Sequence, residues 1–147
     1  MTRASASEPK HIYVINDEAS LLSLLRDLLE DEGYRATLET FDPSGIEGQL
    51  ARIREVKPDL VVLDFLIGGE LLGWQFLQCL RLQRDTAKLP VVVCTAAANT
   101  VKELGTHLTE QCVGVVLKPF NIDDLLAEIT RGLEASIDDP WMLAKPS

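Results

Sequence analysis

No stretch of this chain approaches the roughly 18–20 consecutive apolar residues that a membrane helix requires, and residues 1–10 carry no apolar core of the kind a secretory leader needs. These absences point to a cytoplasmic protein with no membrane contact. Cysteine is scarce and odd in number. Cys79, Cys94 and Cys112 show no metal-ligand spacing, and the apolar runs at Cys94 and beside Cys112 read them as reduced, mostly buried thiols. Positive charge is in deficit: 14 Lys and Arg against 23 Asp and Glu leave a net charge of −9, which argues against nucleic-acid binding through this domain. The small basic groups Arg52, Arg54, Lys57 and Arg81, Arg84, Lys88 read as solvated helix faces. The sequence has no internal repeat and no sign of a second domain.

What is present suits one domain with a normal core, at 147 residues and 46% hydrophobic. Residues 1–10 are polar and expected to be disordered. Residues 11–136 form the domain, and 137–147, with two prolines, an irregular tail. Short β-rich runs predict strands over 11–15, 34–41, 58–65, 91–95 and 113–117. Leucines 21, 24, 25 and 28 recur at helical spacing, as do Ile46, Leu50 and Ile53. The second helix must end before Pro58. Gly68 and Gly69 loosen a loop, and a third helix runs over 72–84. A fourth, the weakest, covers about 100–109 with Gly105 in it, and a fifth carries Ile122, Leu125, Leu126, Ile129 and Leu133. Strands alternating with helices specify a doubly wound α/β fold with a parallel sheet. The flavodoxin-like (βα)5 order 2-1-3-4-5 places the site at the carboxyl ends of strands 1 and 3.

The polar residues that follow the strands decide the chemistry. Strand 1 ends in Asn16-Asp17, strand 3 in Asp64, strand 4 in Thr95 and strand 5 in Lys118. Strand 2, ending in Phe41, adds no comparable group. Asp64 alone reads equally well as a turn or capping residue. In the order 1-3-4-5, however, the row becomes carboxylate, carboxylate, hydroxyl, ammonium. Neighbouring strands lie about 4.8 Å apart, and two carboxylates at that separation repel by roughly 3–4 kcal/mol at an effective dielectric of 20. A hard divalent cation removes this penalty, and oxygen ligands favour Mg2+ or Mn2+. Lys118 and Thr95 would then meet phosphate oxygens, and Asp64 would act as a carboxylate nucleophile that forms an aspartyl phosphate.

On these residues the chain resembles the response-regulator receiver domains of two-component signalling, over about residues 10–136. The matching pieces are Val-Ile-Asn-Asp-Glu after strand 1, Leu-Val-Val-Leu-Asp64, Val-Val-Val-Cys-Thr95-Ala96 and Leu-Lys118-Pro119-Phe120. The resemblance implies that Asp64 accepts a phosphoryl group from a sensor histidine kinase, a phosphotransfer protein or a small phosphodonor. Asp17, Asp64 and the backbone carbonyl of Leu66 would bind the metal, with Asn16 acting through a water. Thr95, Ala96 and Lys118 would contact the phosphoryl group, and the bond before Pro119 would be cis. The protein would then be a regulatory phosphoacceptor rather than an enzyme. It would signal through helix 4, strand 5 and helix 5, to a second copy or an effector.

Four departures from the family pattern stand out. Asn16 replaces the first residue of the usual acidic pair, so metal binding should be weaker. The loop after Asp64 lacks the common Met-Pro, and its glycine, Gly73, arrives one residue late. Val115 occupies the usual aromatic position, which rules out the familiar threonine–aromatic coupling. Leu66 and Ala97 flank the water path, and apolar Leu66 should slow hydrolysis. The rival reading is a degenerate receiver that binds partners without phosphorylation. A flavodoxin-like cofactor binder would need a Ser/Thr/Gly-rich phosphate loop where Asn16-Asp17-Glu18 stands. A haloacid-dehalogenase-like phosphatase would carry paired aspartates after one strand. His11 reads as structural, His107 as a surface residue without a phosphotransfer role, Trp74 as a partly packed helix position, and Trp141 as a tail residue that folds back or meets a partner.

Overall fold

Continuous apolar runs in the chain become strands covered on both faces, and the leucine- and isoleucine-striped segments become the helices that cover them. The computed structural model describes residues 9–96, 98–103, 113–118 and 121–134. Its elements are β1 (His11–Ile15), α1 (Ala19–Asp31), β2 (Arg35–Glu39), α2 (Ile46–Val56), β3 (Leu60–Leu63), α3 (Leu72–Leu82), β4 (Val91–Thr95), α4 (Ala98–Glu103), β5 (Val113–Leu117) and α5 (Ile122–Glu134). The five strands form one parallel sheet in the order β2-β1-β3-β4-β5, the order expected from the sequence.

Residue alternation along the strands divides the core in two. Tyr13, Ile15, Val61, Leu63, Val91 and Val93 pack with Leu50 and Ile53 of α2 and with Phe76, Leu77 and Leu80 of α3. Ile12, Val14, Leu60, Val62, Val92 and Val116 face the other way, onto Leu25 and Leu29 of α1 and Leu125 and Ile129 of α5. Burial of such side chains contributes about 1.5–3 kcal/mol each, so both faces of the sheet are closed by helices and only the strand ends remain uncovered. Register then aligns the ends: Ile15 pairs with Leu63, Leu63 with Val93, and Thr95 with Leu117. The residues that follow therefore form one row at the carboxyl edge.

Several boundaries differ from the sequence expectation. β2 stops at Glu39, because Phe41 leaves the ladder to meet Phe76 edge-on at 5.6 Å between ring centroids. β3 is only Leu60–Leu63, because the start of α3 comes down on the chain just beyond it and the Phe65 carbonyl accepts the Gly73 amide at 3.0 Å. α3 ends at Leu82 rather than 84, where the Thr86 hydroxyl donates to the Leu80 carbonyl at 2.6 Å and draws the chain into turns. α4 begins two residues before the expected start, and positions 104–109, with Gly105 and His107, lie outside the described residues. Ala97, Cys112, Pro119, Phe120, Trp141 and most of the expected terminal segments lie outside them as well. The basic residues are not simply solvated. Arg52 pairs with Glu39 and Glu55, Arg54 with Asp85, and Arg81 donates to the carbonyls of Thr86 and Leu89, so α2 and α3 are tied to their neighbours.

Candidate functional site

Asp64 sits at the tip of the fully buried β3 and is 7% exposed. Each of its oxygens has a donor. Oδ1 accepts the Leu66 amide at 3.0 Å, and Oδ2 accepts the Lys118 ammonium at 3.0 Å. Lys118 is delivered there by the last β4–β5 contact, in which its amide donates to the Thr95 carbonyl at 2.8 Å. Thr95 is fully buried at the end of β4, and Ala96 beside it is exposed. On the β1 side, Asn16 is 3% exposed, and its side-chain carbonyl accepts the Glu18 amide at 2.9 Å. Asp17 is exposed, and its Oδ2 accepts the Gly68 amide at 2.9 Å. Val115 is half-buried against the α2–α3 side of the core. The sheet thus sets Asn16, Asp17, Asp64, Thr95, Ala96 and Lys118 at one edge.

The loop after Asp64 is tighter than its glycines suggest. Ile67 and Glu70 exchange both backbone hydrogen bonds, at 2.9 and 3.1 Å, across Gly68 and Gly69, whose φ angles are +61° and +81°. Two consecutive left-handed residues make the two-residue hairpin that glycine pairs favour, so the pair closes the loop rather than loosening it. Ile67, 8% exposed, anchors the hairpin in the core. The late glycine finds its reason here as well. A Cβ at Gly73 would lie 1.7 Å from the Asp64 carbonyl oxygen, so the first turn of α3 can pass this point only on a glycine. Sequence reading missed the Gly68 contact to Asp17. A Gly-Gly pair between Ile67 and Glu70 was the available signal for a hairpin, but nothing local indicated where its tip would point.

The electrostatics differ from two bare carboxylates. The ammonium of Lys118 and two backbone amides already offset part of the repulsion within the row. Cys94, one residue before Thr95, faces the α1–α5 core, and burial pushes its thiol up to about 12. It is a core thiol, as expected; Cys79 is free and half-buried. His11 donates to or accepts from the Thr37 hydroxyl at 2.7 Å, consistent with a structural role, and Trp74 packs edge-on against Phe65 with centroids 5.6 Å apart. The donors available to a cation are the Asp17 and Asp64 carboxylates and the carbonyls of Leu66 and Asn16. All are hard oxygens and suit Mg2+ or Mn2+. Among the described residues no three His, Cys, Asp or Glu side chains gather into a metal-holding group, so a cation held here would keep several waters.

The chain matches the response regulator receiver domain model over residues 12–130. It is 30% identical over 131 residues to the DNA-binding response regulator MtrA of Mycolicibacterium paratuberculosis, covering 89% of this chain and 54% of that protein. It is 34% identical over 126 residues to the transcriptional regulatory protein YkoG of Bacillus subtilis, covering 86% and 52%. This chain therefore spans about half the length of these relatives. The solved chemotaxis response regulator CheY4 of Vibrio cholerae superposes with a TM-score of 0.69 at 20% identity, covering 85% of this chain and 99% of that one, a likeness of fold.

Proposed function

The chain belongs to the response regulator receiver domain family of two-component signalling, and from that premise we propose that it is a phosphorylation-controlled switch whose phosphoacceptor is Asp64. The observation that carries this reading is a nearly buried carboxylate at the tip of a core strand, held by an amide on one oxygen and an ammonium on the other. An Asp64 oxygen attacks phosphorus, the new O–P bond forms as the donor's P–N or P–O bond breaks, and the leaving imidazole or carboxylate departs with the bonding electrons. Lys118 then transfers its ammonium from Asp64 to a phosphoryl oxygen, Thr95 donates its hydroxyl to another, and Ala96 borders the group. Asp17, Asp64 and the Leu66 carbonyl would hold Mg2+ or Mn2+, with Asn16 reaching it through a water. The cation's part is to neutralise charge on the transferring group.

Receiver domains are regulatory phosphoacceptors rather than classical enzymes. The donor for this chain would be a sensor histidine kinase or phosphotransfer protein, and the output a protein contact through α4, β5 and α5, to a second copy or an effector. Among the described residues no helix is long and apolar enough to cross a membrane. The competing reading, a partner-binding module that works without phosphorylation, draws on the commitment of Asn16 to Glu18 and on Val115 at the aromatic position. Intact mass after incubation with acetyl phosphate and Mg2+ separates the two. One phosphoryl group is expected on the wild type and none on Asp64→Asn. A folded wild type that takes up nothing from acetyl phosphate or from its kinase would transfer the assignment to the second reading.

A further inference from the structure

Asp17 differs from Asp64 in having little around it. It is exposed, it follows a strand rather than ending a buried one, and its neighbour Asn16 is turned to the Glu18 amide. A carboxylate in that position would sample several rotamers, and a cation would have to fix it on arrival. The one hydrogen bond that holds it among the described residues comes from 51 positions away, from the Gly68 amide at the tip of the Ile67–Glu70 hairpin. The same loop holds Asp64 through the Leu66 amide. Each carboxylate thus has one oxygen on a backbone N–H two residues apart along one loop. Mg2+ takes carboxylates at short, near-octahedral distances and keeps waters in its other positions. Ligating carboxylates held by such outer hydrogen bonds are the rule, and removing a supporting partner typically weakens metal binding by about 10–100-fold.

We propose that Gly68 is a positioning residue for the cation site: its backbone amide, carried by the glycine hairpin, holds Oδ2 of Asp17 so that the carboxylate offers its other oxygen in one orientation. This rests on the reading of Asp17 and Asp64 as cation ligands. Gly73 lets the first turn of α3 rest on the Asp64 carbonyl while the hairpin tip reaches Asp17. Because the contact is to backbone, it needs the two left-handed residues and the paired Ile67 and Glu70, not a particular side chain. The Asn16 side chain is spent on the Glu18 amide, and the hairpin supplies the contact to the Asp17 carboxylate.

The test is direct binding of Mn2+ to the full chain, followed by the loss of the free-ion electron paramagnetic resonance signal, without any phosphodonor. Glu70→Pro removes the amide that closes the hairpin and leaves Asp17 and Asp64 unsubstituted. It should weaken Mn2+ binding by about 10–100-fold. Wild-type affinity in folded Glu70→Pro would overturn the inference and leave the phosphoacceptor reading standing. No Mn2+ binding by the wild type would overturn the inference together with the assigned ligands. Nuclear magnetic resonance of the wild type gives an independent reading that does not depend on how well the variant folds. The Gly68 amide should be protected from exchange in metal-free protein and stay protected at saturating Mg2+. Protection that disappears as Mg2+ binds would mean that the cation displaces the hairpin, and the proposal would fail.

Discussion

Asn16 shows how much one side chain decides at this edge. Its carbonyl caps the Glu18 amide while it lies buried beside Glu39, whose backbone carbonyl accepts the Asn16 amide at 3.2 Å. An aspartate fits the same space and keeps the cap, but it adds a negative charge within a few ångströms of Asp17. Asn16→Asp should therefore tighten Mn2+ or Mg2+ binding by about tenfold or more, since one more charge a few ångströms away is worth roughly 3–4 kcal/mol at an effective dielectric of 20 and about 1 kcal/mol in water. It should also lower metal-free stability, because the added charge has no new partner. Titration of both forms checks this, and equal affinities would mean that position 16 does not face the cation.

At the scale of elements, α3 is the one whose placement the site depends on. Its first turn rests on the backbone of Asp64 and Phe65, and its end is fixed by the Thr86 hydroxyl on the Leu80 carbonyl. Replacing a helical glycine by alanine ordinarily stabilises by about 0.5–1 kcal/mol. At Gly73 the added methyl would collide with a carbonyl oxygen rather than with the end of a flexible side chain. The clash wins, and Gly73→Ala should destabilise the fold by about 3 kcal/mol or more, the upper range for overpacking. Urea midpoints of the two proteins decide the sign. A more stable variant would show that α3 can lift from Asp64 at little cost.

For the whole molecule, the buried and paired titrating groups outline a window of stability. Burial, with help from Arg35, lowers the pKa of His11 below its ordinary 6.5, so unfolded chains take up protons first and its contribution is lost as pH falls through the folded value. Glu39, held down chiefly by the Arg52 hydrogen bond, acts the same way below 4.5. Cys94 and Tyr13 act in reverse. Burial raises both, Tyr13 further through its hydrogen bond to Glu39, so unfolded chains lose protons first above 9.0 and 10.0 and stability falls as pH rises. Urea midpoints should be flat between about 6.5 and 9 and decline on either side. A midpoint that climbs above pH 9 would contradict the burial of Cys94 and Tyr13.

The sequence by itself determined the class of fold, the order of the strands and the row of polar residues at their carboxyl ends. Those follow from local matters: apolar runs too short for anything but strands, helical leucine spacing between them, and the handedness of parallel crossovers. It also marked Asn16, Val115 and the late Gly73 as departures. Only the tertiary structure decided where β2 and β3 stop, which depends on Phe41 finding Phe76 and on α3 landing at Asp64. It alone decided that Lys118 pairs with Asp64, that Arg52 and Arg54 form ion pairs that tie α2 to its neighbours, and that a Gly-Gly pair holds an aspartate 51 residues earlier in the chain. The division has one physical reason. Periodicity reports what a segment buries, whereas a hydrogen bond between distant segments depends on how the packed layers align their ends, and no local pattern encodes that.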